Sequence, residues 1–124
     1  MPQVTVGYNP DHIASHAFPK DSIAEVVAKA LSCSECTLVK EDVEIKIKQF
    51  GPLDEMRGFS ATVIVRANDY PSRRENLRER NNQIKEGIFP ILRAARLALE
   101  IEGTSRKAFV WTRLAPGEFA EFEF

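Results

Sequence analysis

The sequence predicts an α+β domain made of two β-α-β units in tandem, giving a four-stranded mixed sheet with two helices on one face. Three observations predict it. Four short runs alternate in polarity or are rich in β-branched residues; two S-x-x-E sequences, Ser22/Glu25 and Ser72/Glu75, each open an apolar pattern of helical spacing; and these elements follow one another as β-α-β-β-α-β. Right-handed crossovers then put both helices on the same side of the sheet. The 124 residues amount to a single domain, 1–124, long enough to bury one core without disulfide staples.

The first strand is Gln3 to Tyr8, alternating for a few residues and stopped by Asn9-Pro10. After a loop rich in His, Pro and Lys, Ile23, Val26, Val27, Ala30 and Leu31 recur on one helical face, so the first helix spans about Ser22 to Ser32. Asp42 to Phe50 sets Val43, Ile45 and Ile47 against Glu44, Lys46 and Lys48, a half-buried strand ended by Gly51-Pro52. Phe59 to Arg66 is more continuously apolar, as in a buried strand. From Ser72 a long helical pattern carries Leu77, Ile84, Ile88, Ile91, Leu92, Ala95 and Leu99, interrupted by Gly87 and Pro90, so that a kink or break is expected near Glu86 to Phe89, with a stop at Gly103. Lys107 to Arg113 is the fourth strand, and the tail ends with Phe122 and Phe124 alternating with glutamates.

Composition excludes several classes. With 17 Lys+Arg against 18 Asp+Glu, a net charge of -1 and 44% hydrophobic residues, the chain is neither disordered nor a phosphate-backbone binder, and nucleic acid is not an expected partner. No run approaches a membrane span and the first residues lack a secretory layout, so a cytoplasmic protein with no membrane association is expected. Cys33 and Cys36 form a lone C-x-x-C where a helix ends, without the ligand spacing of a zinc site around His12 and His16; inert thiols, no metal and no cofactor are expected. A sheet covered on one side only calls for a partner. The uncovered face and the aromatic tail therefore predict a homo-oligomer.

Pro2 is the residue singled out for chemistry. A small penultimate residue permits removal of Met1, leaving a secondary amine at the head of a strand. An α-amino group titrates near about 7.7–8.0, and partial burial beside cations lowers it toward a general base active at neutral pH. The bland reading of Met1-Pro2 is an ordinary chain start.

Met1-Pro2 running directly into a strand, the tandem β-α-β layout in this length, and the strand-turn-helix passage from Val63-Ile64-Val65-Arg66 to Ser72-Arg73-Arg74-Glu75 resemble the tautomerase superfamily. Within it, the 5-carboxymethyl-2-hydroxymuconate isomerases have one chain spanning both units. The resemblance implies a homotrimer with active sites at subunit interfaces, where Pro2 moves a proton on a small keto or enol carboxylate. It also implies cations for that carboxylate. Lys40 stands before the second strand, where arginine is more usual, and Tyr70-Pro71 replace a glycine-arginine pair, so Arg73 would have to reach in. Arg73 and Arg74 read equally as part of a solvated face with Glu75 and Glu79. Arg106 precedes the last strand as Lys40 precedes the second, which makes it a second anchor by pseudo-symmetry. Phe50 and Trp111 read as apolar walls, and Trp111 also as core packing on a central strand.

Other readings stay open at this level. The same element order describes ferredoxin-like modules, including small-molecule sensors, which interleave antiparallel strands. A catalytically silent oligomeric relative, and a proline-dependent decarboxylase or dehalogenase, fit the sequence too.

Overall fold

The computed structural model describes residues 1–97, 106–116 and 120–124. Its sheet contains β1 (Gln3–Tyr8), β2 (Glu44–Gln49), β3 (Phe59–Asn68) and β4 (Lys107–Ala115), in the order β2-β1-β3-β4. β1 pairs parallel to β2, β3 pairs parallel to β4, and the central β1–β3 pair is antiparallel, with Gln3 opposite Arg66 and Tyr8 opposite Ala61. Each parallel pair is joined through a helix: α1 (Lys20–Leu31) in the first unit, and α2 (Pro71–Glu75) followed by α3 (Leu77–Ala95) in the second. This is the tandem β-α-β architecture expected. It differs from the interleaved antiparallel order of the ferredoxin-like alternative.

Alternation decides the two faces. Val4, Val6 and Tyr8 of β1 and Ala61, Val63, Val65 and Ala67 of β3 are buried together with Ile23, Val27 and Leu31 of α1 and Ile84 and Ile88 of α3. Full burial of each such aliphatic side chain contributes roughly 1.5–3 kcal/mol. The intervening residues form the open face, where Lys46, Thr5, Ile64 and Trp111 lie side by side across the four strands. That face is polar toward β2 and apolar toward β4. Trp111 is therefore not a core residue of a central strand: β4 is an edge strand, the indole is 55% exposed, and Arg113 lies over its ring at 5.2 Å.

Neither S-x-x-E sequence caps its helix. α1 starts at Lys20, two residues before Ser22, because Pro19 is the N-cap and its carbonyl already accepts the Ile23 N–H. In the second unit Pro71 takes the first helical position, for which its fixed φ is suited, and Ser72 bonds the Glu35 carboxylate instead. The break comes earlier than Gly87 and Pro90, at Asn76 (φ -132°, ψ 39°), after which α3 runs without interruption to Ala95. Pro90 and Glu86, whose carbonyl would have accepted the missing N–H, are both exposed, so the loss falls on the solvent side of the helix. Gly87 has a packing role: a Cβ there would stand 2.5 Å from Val26 Cγ1 of α1. Leu99 and Gly103, on which the far end of the second helix was expected to depend, lie outside the described residues.

Candidate functional site

The two units have equivalent heads, each bounded by the starts of its two strands and the end of its helix. Pro2 and Arg73 lie at the first head and Arg106 at the second; Lys40 precedes β2 but turns its ammonium toward the first turns of α1. Because β1 and β3 are antiparallel, the heads lie at opposite ends of the sheet, separated by a strand length of about 17 Å. Phe50, just after β2, and Trp111, midway along β4, do not join the first group.

At the first head the Pro2 ring is buried and its carbonyl accepts the Glu44 N–H at 3.0 Å, which fixes the start of β1 against β2. With Met1 attached the Pro2 nitrogen is a tertiary amide, and it becomes an amine only when that half-exposed residue is removed. Lys40 sits in a single 3₁₀ turn, Lys40–Asp42, held open-ended by the Asp42 carboxylate accepting the Val39 N–H. Its ammonium lies 3.7 Å from Asp21 and 3.8 Å from Glu25 on α1. Its charge is thus already matched by two surface carboxylates.

Arg73 is 1% exposed, which removes the solvated-face reading for it. Nε donates to the Leu31 carbonyl at 2.8 Å and Nη1 to the Asn68 carbonyl at 3.1 Å, while the guanidinium lies 4.9 Å from the Tyr70 ring centroid. Arg80 reaches the same helix end, donating from Nη1 to the Ala30 and Ser32 carbonyls. Two arginines from the second unit therefore cap α1, supplying donors to orphan carbonyls and positive charge to the negative end of its dipole. Among the described residues, Arg73 Nη2 has no acceptor. Arg74 is the solvated one, paired with Asp69 at 2.9 Å, and that bond raises its pKa further. Nearby, Cys33 and Cys36 exchange backbone hydrogen bonds across a tight turn whose Glu35 carboxylate, bonded by Ser72, is held below the ordinary glutamate range.

The open face beside Pro2 carries a shallow depression of about 230 Å³ floored by Thr5 and Ile64 and edged by Gln3, Glu44, Lys46 and Arg66. Arg66 stands opposite Gln3, one residue from Pro2, so it is a cation within the first head that the sequence marked only as a strand end. Phe50 covers the far end of the same face: a Cβ on Gly7 would meet its Cε1 at 2.7 Å, so glycine is what lets the ring lie against β1.

At the second head, α3 and the starts of β3 and β4 enclose a cavity of about 590 Å³. Ile13, Phe59, Ile88, Phe89, Leu92 and Phe109 give it an apolar floor, and Phe59 and Phe109 meet edge to face at 5.0 Å. Arg106 lines it, together with Lys85, Arg93, Arg96 and Lys107. Ser60, bonded to His12 Nδ1 at 2.8 Å, is the neutral polar side chain in the wall. Lys85, Arg93 and Arg96 fall on one side of α3 by helical spacing, a signal present in the sequence but indistinguishable there from a solvated stripe.

No family model matches the chain, and no curated protein matches it by sequence. Among solved structures, the crystal structure of native Ps01740 is similar over 97% of this chain and 99% of its own, with a TM-score of 0.55 and 15% sequence identity. The likeness is one of fold, and it covers the tandem arrangement as a whole. Among the described residues, no helix is long and apolar enough to cross a membrane, and no three His, Cys, Asp or Glu side chains are grouped so as to hold a metal ion.

Proposed function

We propose that the protein is a keto-enol tautomerase in which Pro2, freed by removal of Met1, is the general base. The observation that carries this reading is the position of Pro2: it heads a central strand, with its ring buried and its carbonyl pinned to β2, so that a terminal amine there would be fixed in place at the first head. A secondary amine so placed, with cations nearby, takes the proton from the enol oxygen of a small carboxylate substrate and delivers it to the α-carbon as the C=C bond becomes C=O, or runs the reverse. Arg66 and Lys46 on the open face are the groups available to hold the carboxylate. Lys40 is committed to Asp21 and Glu25 and would need to leave them to take part.

The reading also calls for a second and third copy of the chain. Trp111 and Ile64 on the open face, and Phe122 (79% exposed) and Phe124 in the tail, supply apolar surface for a homotrimer, which would deepen the 230 Å³ depression into a closed site. The test is ketonisation of phenylenolpyruvate by the protein lacking Met1. General base catalysis typically contributes 10²–10⁴-fold, so Pro2→Ala loses most of the rate while its circular dichroism stays native. Equal rates in the two proteins remove the proposal, and sedimentation of the active form as a monomer removes its interface site.

A further inference from the structure

The two heads differ in how their cations are satisfied. In the first, Lys40 faces two carboxylates, and Arg73 and Arg80 donate to the carbonyls that end α1, with Arg73 Nη2 left over. In the second, five cations line one cavity, and no acidic side chain is among its described lining residues. For a chain carrying 17 basic and 18 acidic residues, that is, among the described residues, a local concentration of positive charge. Arg106 Nε is buried and, among the described residues, has no acceptor, so an incoming anion would supply the partner it lacks.

The remaining surface of the cavity narrows the ligand. Its floor is aromatic and aliphatic, and its volume of about 590 Å³ lies within the roughly 300–1,000 Å³ of small-molecule sites. A bare phosphate would leave Phe59, Phe109 and Leu92 facing water, and a neutral hydrocarbon would leave the arginines unmatched. From these observations we infer that the second head is a binding site for a small organic anion, a carboxylate joined to an aromatic or branched apolar body. Arg106 and its neighbour Arg96 hold the carboxylate, and the body lies along Phe59, Leu92 and Phe109 with Phe89 at the rim. The site is separate from Pro2 and does not depend on its chemistry.

The experiment uses the full chain with Met1 retained, so that the outcome is independent of Pro2 acting as an amine. Backbone amide shifts are followed by NMR during titration with 3-phenylpropionate, with the neutral isostere 3-phenylpropanol, and with inorganic phosphate. The acid should shift α3 and β4 amides saturably and bind at least about tenfold more tightly than the alcohol, because a charged hydrogen bond is at stake. Phosphate should not saturate over the same range. Arg106→Gln should weaken the acid roughly tenfold or more, and Phe89→Ala, at a rim position 61% exposed and safe for folding, should weaken it several-fold. Equal affinity for acid and alcohol, saturating binding of phosphate, or unchanged affinity in both variants would overturn the assignment.

Discussion

The end of α1 and the end of α3 occupy equivalent places in two equivalent units, yet one is closed by protein and the other opens on a cavity. At the first, a fully buried arginine and a half-buried one fill the space below the helix terminus and donate to its last carbonyls. At the second, the corresponding approach is made by the loop after β1, where Ile13 bridges to Arg96 and the His12 carbonyl accepts the Leu97 N–H. An isoleucine with backbone hydrogen bonds holds the helix end but fills less space than two guanidinium groups. The contrast separates two uses of arginine that a sequence writes with the same letter. Arg73 is structural through its bonds to two carbonyls, with Nη2 left over, and Arg106 Nε has no acceptor among the described residues.

Swapping each for an apolar residue breaks that comparison most sharply. Arg73→Leu strips donors from the Leu31 and Asn68 carbonyls, and with about 1–3 kcal/mol for a buried polar group left unpaired, it should lower stability by roughly 2–4 kcal/mol in urea unfolding. Arg106→Leu, which removes a buried Nε with no acceptor among the described residues, should cost less than about 1 kcal/mol. Similar losses in both would mean that Arg106 too is held by the fold. A smaller effect comes from where the two units press together. Gly87→Ala gains roughly 1 kcal/mol of helix propensity but drives a methyl into Val26, and overpacking costs about 1–3 kcal/mol, so a net loss of about 1 kcal/mol is expected. A stabilised variant would show that α1 and α3 have room to part.

The architecture was legible because it rests on local periodicity. Val4/Val6 against Thr5, Val43/Ile45/Ile47 against the intervening charges, and the Ile84/Ile88 stripe each report a face without knowledge of the partner. Punctuation was read less well. Ser22 and Ser72 look like caps, but prolines at 19 and 71 open both helices, and Pro90 sits on the solvent side of its helix. The burial of Arg73 was not legible at all, since its acceptor Leu31 is 42 residues away. Trp111 was misplaced for a related reason: which strand lies at the edge depends on pairing, and the composition of β4 does not reveal it. Arg106 was reached by pseudo-symmetry with Lys40, but its company of Lys85, Arg93 and Arg96 required the crossover to bring α3 over β4.

Pro2 is the point on which the functional account rests, and its nitrogen offers a direct test because one peptide bond switches it between amide and amine. The same protein prepared with Met1 removed and with Met1 retained, each verified by intact mass, should be compared in kcat/KM for phenylenolpyruvate ketonisation. The account predicts activity in the Met1-free form and a loss of about 10²-fold or more in the blocked form, with the same fold by circular dichroism. Equal activity in the two forms, or none in either, would contradict it.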